Sequence, residues 1–158
     1  MPLPLFCYGT LELPAVMQAV SGQLPGREPA ALHGYRRGLI LGRDYPGIEP
    51  ADDCVSGTLY RSPGPGALQR IDRFEGSEYT RQRVTVRTAR GNIRAWAYLP
   101  RPGRARVGHL DWDPRRFERR ELARYLRNRD FMMEKCHECP DQILCGGGCP
   151  LYAQHHGE

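Results

Sequence analysis

The sequence predicts an α+β protein: a small mixed β-barrel with short flanking helices, followed by a C-terminal helix and a cysteine-rich tail. Strand-like apolar segments recur at short intervals and short amphipathic segments lie between them, as in mixed folds of this kind. Four of the six cysteines lie close together, between Cys136 and Cys149. The 158 residues accordingly divide into a domain over residues 1–129 and a metal-binding tail over residues 130–158.

The first half of the chain is predicted to begin with a buried strand and a short helix. The apolar run over residues 4–7 ends at the turn Tyr8–Leu11, and apolar residues at positions 13, 16, 17 and 20 then follow a helical spacing. Pro14 suits the first turn of that helix, where its missing N–H costs no hydrogen bond. We expect a Gly/Pro-rich loop at 22–29, strands at 31–41 and 54–60, and a turn at 44–47.

The second half is predicted to contain one helix and a β-hairpin. After a turn at 62–66, residues 67–74 carry a helical apolar stripe; the hairpin then joins strands at 79–88 and 93–99 through Arg90–Asn92. Glu75 follows Leu68 by seven residues, so the two lie about 20° apart around the helix axis, and Gly76 ends the helix. A carboxyl group is therefore expected on the apolar face of this helix, at its last turn.

Glu75 is the first candidate functional residue. An acidic side chain that faces a core at the C-terminal end of a helix favours its neutral form, because burial and the helix dipole both disfavour the negative charge. A carboxyl group with a raised pKa can act as a base near neutral pH. The sequence leaves an alternative open, in which the side chain turns to the rim and forms an ion pair with Arg81 or Arg83.

The turn Tyr8–Gly9–Thr10–Leu11 is the second candidate. Main-chain N–H groups released at the end of a strand can form a small anion-binding concavity, and a glycine lets the backbone approach a ligand closely. The alternative interpretation is an ordinary turn, because glycines at strand ends commonly serve only that purpose.

Six segments share one family resemblance. They are FCYGTL (6–11), LHGYRRGLILGRDYPGIEP (32–50), VSGTLYR (55–61), LQRIDRFEGSEYTRQRVTV (68–86), AWAYLP (95–100) and DWDPRRFERRELARYL (111–126). Together they resemble the γ-glutamylcyclotransferase-like family, of the AIG2-like type, over roughly residues 3–127. The resemblance implies a small β-barrel flanked by short helices, in agreement with the pattern above.

The resemblance also implies an activity and its residues. Glu75 would be the general acid/base of an enzyme that releases 5-oxoproline from a small γ-glutamyl amine or peptide, without a catalytic cofactor. The implied substrate-binding residues are Tyr8, Gly9, Thr10, Leu11, Tyr79, Arg81 and Tyr98. The alternative function is a non-catalytic binding or peptide-maturation accessory module that docks a protein partner through the tail.

The clustered cysteines predict a metal site in the tail. Four thiolates suit a soft metal ion, and Gly146–Gly148 lets the chain wrap around it. The text CHECP followed by CGGGCPLYA resembles part of a SPASM domain, an auxiliary iron–sulfur region of radical-SAM peptide-modifying enzymes. The expected ligands, to a [4Fe–4S] cluster or to Zn²⁺, are Cys136, Cys139, Cys145 and Cys149. A disulfide pair and unmetallated reactive thiols are the alternatives.

Charge and hydropathy limit the partners. The net charge is +5, but residues 101–129 hold ten Arg against four acidic residues, so the surplus lies in one basic amphipathic helix. Nucleic-acid binding is disfavoured because acids lie among these arginines and aromatic residues do not alternate with them. No apolar run reaches the roughly 20 residues of a membrane span, and no basic leader precedes the first apolar stretch, so we expect a cytoplasmic protein without a membrane partner.

Overall fold

The computed structural model of the chain describes residues 2–120 and 122–123, which form five strands and three α-helices. The strands are β1 (Leu5–Cys7), β2 (Arg27–Leu39), β3 (Pro46–Tyr60), β4 (Tyr79–Thr88) and β5 (Gly91–Pro100). The helices are α1 (Pro14–Ser21), α2 (Pro65–Glu75) and α3 (Pro114–Arg120), with single-turn 3-10 segments at Thr10–Glu12 and Gly76–Glu78. None of these helices is both long and apolar enough to cross a membrane.

The five strands close into a barrel in the order β1–β3–β2–β4–β5. Neighbouring strands run antiparallel except for β1 and β5, which are parallel and pair Leu5 with Trp96. The Trp96 N–H also donates to the Pro4 carbonyl at 2.8 Å, so the first and last strands are joined directly. The predicted α+β fold, a small mixed barrel with short flanking helices, is therefore confirmed for the described residues.

Two strands are longer than the sequence predicted. β2 starts at Arg27, inside the expected loop, and β3 starts at Pro46, inside the expected turn. The prolines and acidic residues of segment 46–53 have low strand propensity, but antiparallel pairing of β3 with β2 outweighs it. The ladder shifts register beside Gly34, whose φ is +84°, and pairing resumes at Pro50.

The β4–β5 hairpin has a shorter turn than predicted. Thr88 pairs with Gly91, so only two residues, at positions 89 and 90, form the loop, and β5 starts before Ile93. Gly91 has φ +105°, a conformation that residues with a side chain rarely adopt. The expected turn over Arg90–Asn92 is thus corrected: the glycine required for the reversal belongs to the first pair of the ladder.

Two layers of apolar side chains hold the fold together. One layer fills the barrel, comes from the strands and includes Phe6; the other lies between barrel and helices and includes Leu5 and Cys7. β1 therefore alternates between the two cores and is buried on both faces. This explains why its sequence is a continuous apolar run.

Helices α1 and α2 pack side by side on the outer core. The predicted apolar stripe of α1 is confirmed, because all four of its members are buried: Leu13, Val16, Met17 and Val20. The Arg70 guanidinium of α2 donates to the Ser21 carbonyl at the end of α1 at 2.6 and 3.2 Å. Gly76, with φ +67°, ends α2 directly after Glu75.

The predicted tail lies outside the described residues. α3 is the described part of the expected C-terminal helix, and Phe117 packs on Trp112 with ring centroids 5.7 Å apart. The boundary between residues 1–129 and 130–158 stays a prediction, as do the four tail cysteines as metal ligands. Within the described part of the chain, no three His, Cys, Asp or Glu side chains are grouped as a metal site would require.

Candidate active site

A cavity of about 330 Å³ lies at the end of β1. Residues 6–11, 44–46 and 74–79 line it, together with Tyr98. These are the turn after β1, the β2–β3 connection, the junction of α2 with β4, and one position of β5. Segments that are distant in the sequence thus enclose a volume of the size that small-molecule sites have.

Glu75 contributes a carboxyl group to this cavity. It is the last residue of α2, and the left-handed backbone of Gly76 turns the chain away directly after it. The residue as a whole is partly accessible, and burial disfavours the charged form of its carboxyl group and raises the pKa to about 8. Glu75 can therefore exchange a proton near neutral pH.

The alternative ion pair of Glu75 with Arg81 or Arg83 does not form. Arg81 Nε lies 3.5 Å from Asp72 Oδ1, and its guanidinium carbon lies 4.9 Å from the centroid of the Trp96 ring. None of the ion pairs among residues 2–120 and 122–123 includes Glu75 or Arg83. The Glu75 carboxyl group therefore lines the cavity without an ion-pair partner among the described residues.

Three phenols stiffen the cavity wall. The Tyr98 hydroxyl donates to Asp72 Oδ1 at 2.6 Å, and the Tyr8 hydroxyl donates to the Tyr98 carbonyl at 2.5 Å. The Tyr79 hydroxyl donates to the Pro46 carbonyl at 2.8 Å and ties β4 to the start of β3. Burial raises the pKa of both Tyr8 and Tyr98, so their hydroxyls stay protonated and act as donors.

The turn Tyr8–Leu11 presents unused main-chain donors. The 3-10 segment is closed by bonds from the Glu12 N–H to the Gly9 carbonyl (2.9 Å) and from the Leu13 N–H to the Thr10 carbonyl (3.1 Å). Among the residues that the structure describes, the N–H groups at positions 9, 10 and 11 donate no hydrogen bond. Three successive donors beside the cavity are available to an anionic ligand.

The structure brings the predicted catalytic and substrate-binding residues together with one exception. Tyr8–Leu11, Glu75, Tyr79 and Tyr98 all line the cavity, whereas Arg81 does not. Arg81 instead lies against an acid of α2 and a ring of β5, so it supports the wall from behind. The role of Arg81 as a substrate-binding residue stays a prediction.

Sequence reasoning missed nine of the lining residues, among them Cys7, Asp44, Tyr45 and Glu78. The Tyr45 hydroxyl donates to Glu78 Oε2 at 2.6 Å and Arg43 pairs with Glu78 at 3.0 Å, which joins the β2–β3 connection to the segment after α2. Burial, with smaller effects of Glu75 and Glu12, raises the pKa of the Cys7 thiol. The segment DYPG pointed only to a turn, because these contacts join positions far apart in the chain.

Comparison with known proteins places this geometry in a family. Residues 5–114, more than half of the chain, match the family described as gamma-glutamyl cyclotransferase, AIG2-like. The chain belongs to this family. The γ-glutamylcyclotransferase-like, AIG2-like resemblance of the sequence is therefore confirmed over the barrel, and the SPASM-like resemblance of the tail stays a prediction.

Individual members of the AIG2-like group are similar to this chain in sequence and in fold. Protein AIG2 A of Arabidopsis thaliana is 26% identical over 137 residues, which cover 82% of this chain and 78% of that protein. The chain spans about half the length of the other curated relatives that it matches. A solution structure of another Arabidopsis thaliana protein has a TM-score of 0.59 at 25% identity, over 73% of this chain and 72% of that one. A solved gamma-glutamyl cyclotransferase shares the fold at TM-score 0.57 and 18% identity, over 66% and 69% of the two chains.

Proposed function

We propose that this chain is an enzyme, a γ-glutamylcyclotransferase that releases 5-oxoproline from a γ-glutamyl amine or peptide. One observation carries the proposal: the Glu75 carboxyl group, whose pKa burial raises to about 8, shares a cavity with the unused N–H groups of Gly9, Thr10 and Leu11. Membership of the gamma-glutamyl cyclotransferase, AIG2-like family supports it.

The reaction is an intramolecular acyl transfer. Ionised Glu75 removes a proton from the α-ammonium group of the γ-glutamyl moiety, and the freed amine attacks the γ-carbonyl carbon. The new C–N bond closes the ring of 5-oxoproline, the C–N bond to the leaving amine breaks, and Glu75 returns its proton to that amine. The second proton of the ring nitrogen passes to the released amine, which leaves as an ammonium ion. A free α-amino group has a pKa of about 7.7–8.0. A carboxyl pKa of about 8 therefore makes the first proton transfer nearly balanced in free energy.

The turn Tyr8–Leu11 orients the substrate for this attack. Nucleophile and electrophile belong to one molecule, so holding it in a folded conformation lowers the barrier through orientation alone. The N–H groups of Gly9, Thr10 and Leu11 bind the substrate carboxylate or the negative charge that develops on the γ-carbonyl oxygen. The rings of Tyr79 and Tyr98 limit the space around the reacting groups.

The substitution Glu75→Gln tests the proposal on a panel of glutathione-like peptides, γ-glutamyl amines and γ-glutamylated biosynthetic intermediates. We expect the wild type to release 5-oxoproline from at least one compound and Glu75→Gln to be slower by about 10²- to 10⁴-fold. The matched control is Glu49→Gln, which changes a carboxylate that pairs with Arg36 outside the cavity and should leave the rate unchanged.

The outcomes separate the two functions. Equal turnover by wild type and Glu75→Gln would remove Glu75 from the role of general acid/base. No turnover of any γ-glutamyl compound on the panel would favour the non-catalytic binding module over the enzyme.

A further inference from the structure

Arg37 on β2 lies directly behind the binding turn, defined here as residues 8–12. Its Nη1 donates to the Tyr8 carbonyl at 3.1 Å, and its Nε donates to Asp111 Oδ1 at 3.0 Å. The guanidinium carbon lies 5.7 Å from the centroid of the Trp112 ring, and 17% of the side chain is exposed. The guanidinium group is thus fixed between the binding turn and the segment that leads into α3.

The far end of the binding turn is held by the same region of the barrel. Glu12 Oε2 lies 3.9 Å from Arg37 Nη1, and Glu12 Oε1 accepts from the Thr58 hydroxyl at 3.3 Å. The Glu12 main-chain carbonyl accepts from the Tyr60 hydroxyl at 3.0 Å. Side chains of β2 and β3 therefore anchor both ends of the turn.

The peptide group between Tyr8 and Gly9 takes its orientation from Arg37. The described peptide bonds are all trans, so the carbonyl of one residue and the N–H of the next point in opposite directions. Arg37 binds the Tyr8 carbonyl and is not part of the cavity lining, whereas Gly9 is. The Gly9 N–H therefore points away from Arg37, to the cavity side, and is the first of the three unused donors.

We infer that Arg37 is a positioning residue for γ-glutamyl substrates: by holding the Tyr8 carbonyl, it keeps the Gly9 N–H aimed into the cavity. The inference rests on the proposed function, in which that N–H binds a carboxylate or a developing oxyanion. Arg37 does not touch the substrate and acts through the turn. Lysine presents its donors from a single nitrogen and lacks the planar fork of arginine, so it holds Tyr8 and Asp111 together less well.

Kinetics of Arg37→Met test the inference, because methionine keeps an apolar stem beside Trp112 and removes every donor. We expect kcat/KM for a γ-glutamyl substrate to fall about 10- to 100-fold, the loss that corresponds to one charge-assisted hydrogen bond. The pH at which kcat/KM is maximal should stay unchanged, since Glu75 is untouched. Arg37→Lys should recover part of the loss, and it replaces Arg37→Met if that variant does not fold.

A measurement without substrate separates this inference from the proposed function. The ¹⁵N–¹H resonance of Gly9 should shift in Arg37→Met and stay in place in Arg36→Met, a control that removes the neighbouring guanidinium, which pairs with Glu49. An unmoved Gly9 resonance, or an unchanged kcat/KM in Arg37→Met, would overturn the role of Arg37. A shifted resonance in a protein whose wild type has no turnover would support the hold on the turn and count against the enzyme.

Discussion

The Tyr98 hydroxyl donates a hydrogen bond to Asp72 Oδ1 at 2.6 Å, and Asp72 precedes Glu75 by three residues on α2. Residues three apart on a helix lie on the same face, so this bond fixes the last turn of α2 against β5. Arg81 supports the same carboxylate at 3.5 Å. The place at which Glu75 enters the cavity is thus set by a contact between a helix and a strand.

Tyr98→Phe removes this bond and leaves the ring in place. We expect the free energy of unfolding to fall by about 1–2 kcal/mol, because Asp72, a charged acceptor, loses the hydrogen bond that Tyr98 donates. We also expect a lower kcat/KM because Glu75 is held less firmly. Urea denaturation and steady-state kinetics measure the two effects. Tyr35→Phe is the matched control, since the Tyr35 hydroxyl has no hydrogen bond to any described residue. A Tyr98→Phe protein as stable and as active as wild type would show that the bond positions nothing.

The raised pKa of Glu75 predicts a bell-shaped pH profile. The proposed reaction needs ionised Glu75, with a pKa of about 8, together with a protonated α-amino group on the substrate. Both conditions are met best near pH 8, so kcat/KM should be more than about tenfold lower at pH 6 and at pH 10. Glu49→Gln should give the same curve as wild type. A profile that stays flat between pH 6 and pH 10 would contradict the assignment of Glu75.

The same buried carboxyl groups predict a pH-dependent stability. The pKa of Glu75 rises from 4.5 to about 8 on folding, and burial raises that of Glu12 from 4.5 to about 7. Between the unfolded and folded pKa of each group, the folded chain retains a proton that the unfolded chain has lost. The free energy of unfolding therefore falls as the pH rises through this range. The slope is at most about 1.4 kcal/mol per pH unit for each group.

Glu75→Gln should flatten that dependence between pH 5 and pH 8, whereas Glu12→Gln should flatten it mainly below pH 7. Urea denaturation of wild type and both variants at pH 5, 7 and 9 measures the difference. Curves that run parallel for wild type and Glu75→Gln would mean that the Glu75 carboxyl group is not protonated in the folded protein at neutral pH.

Gly57 lies where β1 packs tightly on β3, so a side chain at this position should destabilise the fold. A Cβ at Gly57 would lie 2.4 Å from the Cys7 carbonyl oxygen and 2.7 Å from the Phe6 ring, both in the buried strand β1. Gly57→Ala should therefore reduce the free energy of unfolding by about 2–3 kcal/mol. Gly66→Ala is the control, because its Cβ would have Arg70 Nη1 at 3.7 Å as its nearest neighbour, and a helix gains up to about 1 kcal/mol from this change. Equal effects of the two substitutions in urea denaturation would contradict the packing of β1.

The tail gives a prediction that does not depend on the barrel. We propose that Cys136, Cys139, Cys145 and Cys149 bind one Zn²⁺ or one [4Fe–4S] cluster. Metal analysis and visible absorption of anaerobically purified protein distinguish the two, because zinc sites are colourless. Cys139→Ser should lower the metal content, whereas Cys54→Ser, at the exposed cysteine of β3, should not. Colourless protein without metal would contradict both forms of the site.

Local patterns identified the elements whose stabilising contacts are local or repetitive. The apolar stripe of α1 and the strand β4, where Val86 is fully buried, follow from spacing alone. The extents of β2 and β3 do not, because they depend on pairing between distant residues such as Arg27 and Tyr60. Proline and aspartate in β3 also argue against a strand when only their own propensities are considered.

In the candidate site, too, local spacing predicted some features, whereas contacts between distant segments could not be predicted. A seven-residue spacing placed Glu75 on the apolar face of α2, and burial then follows from packing that face. Its meeting with the turn after β1 came from the family resemblance, since no spacing relates the two segments. The contacts of Arg37 and Tyr45 were not predicted from the sequence. Their partners, the Tyr8 carbonyl and Glu78, lie in distant segments that come close to them only in the folded barrel.

The closure of the barrel also determines when the cavity appears during folding. Leu5 pairs with Trp96 of β5 and with Tyr60 of β3, so the pairing of the first strand is complete only when the last strand is in place. Contacts between such distant positions form more slowly than single helices, because a long loop must close before they contribute. A chain that has not yet docked β5 lacks the contribution of Tyr98 to the cavity. Recovery of the proposed 5-oxoproline release after dilution from denaturant would therefore report when β5 has paired with β1.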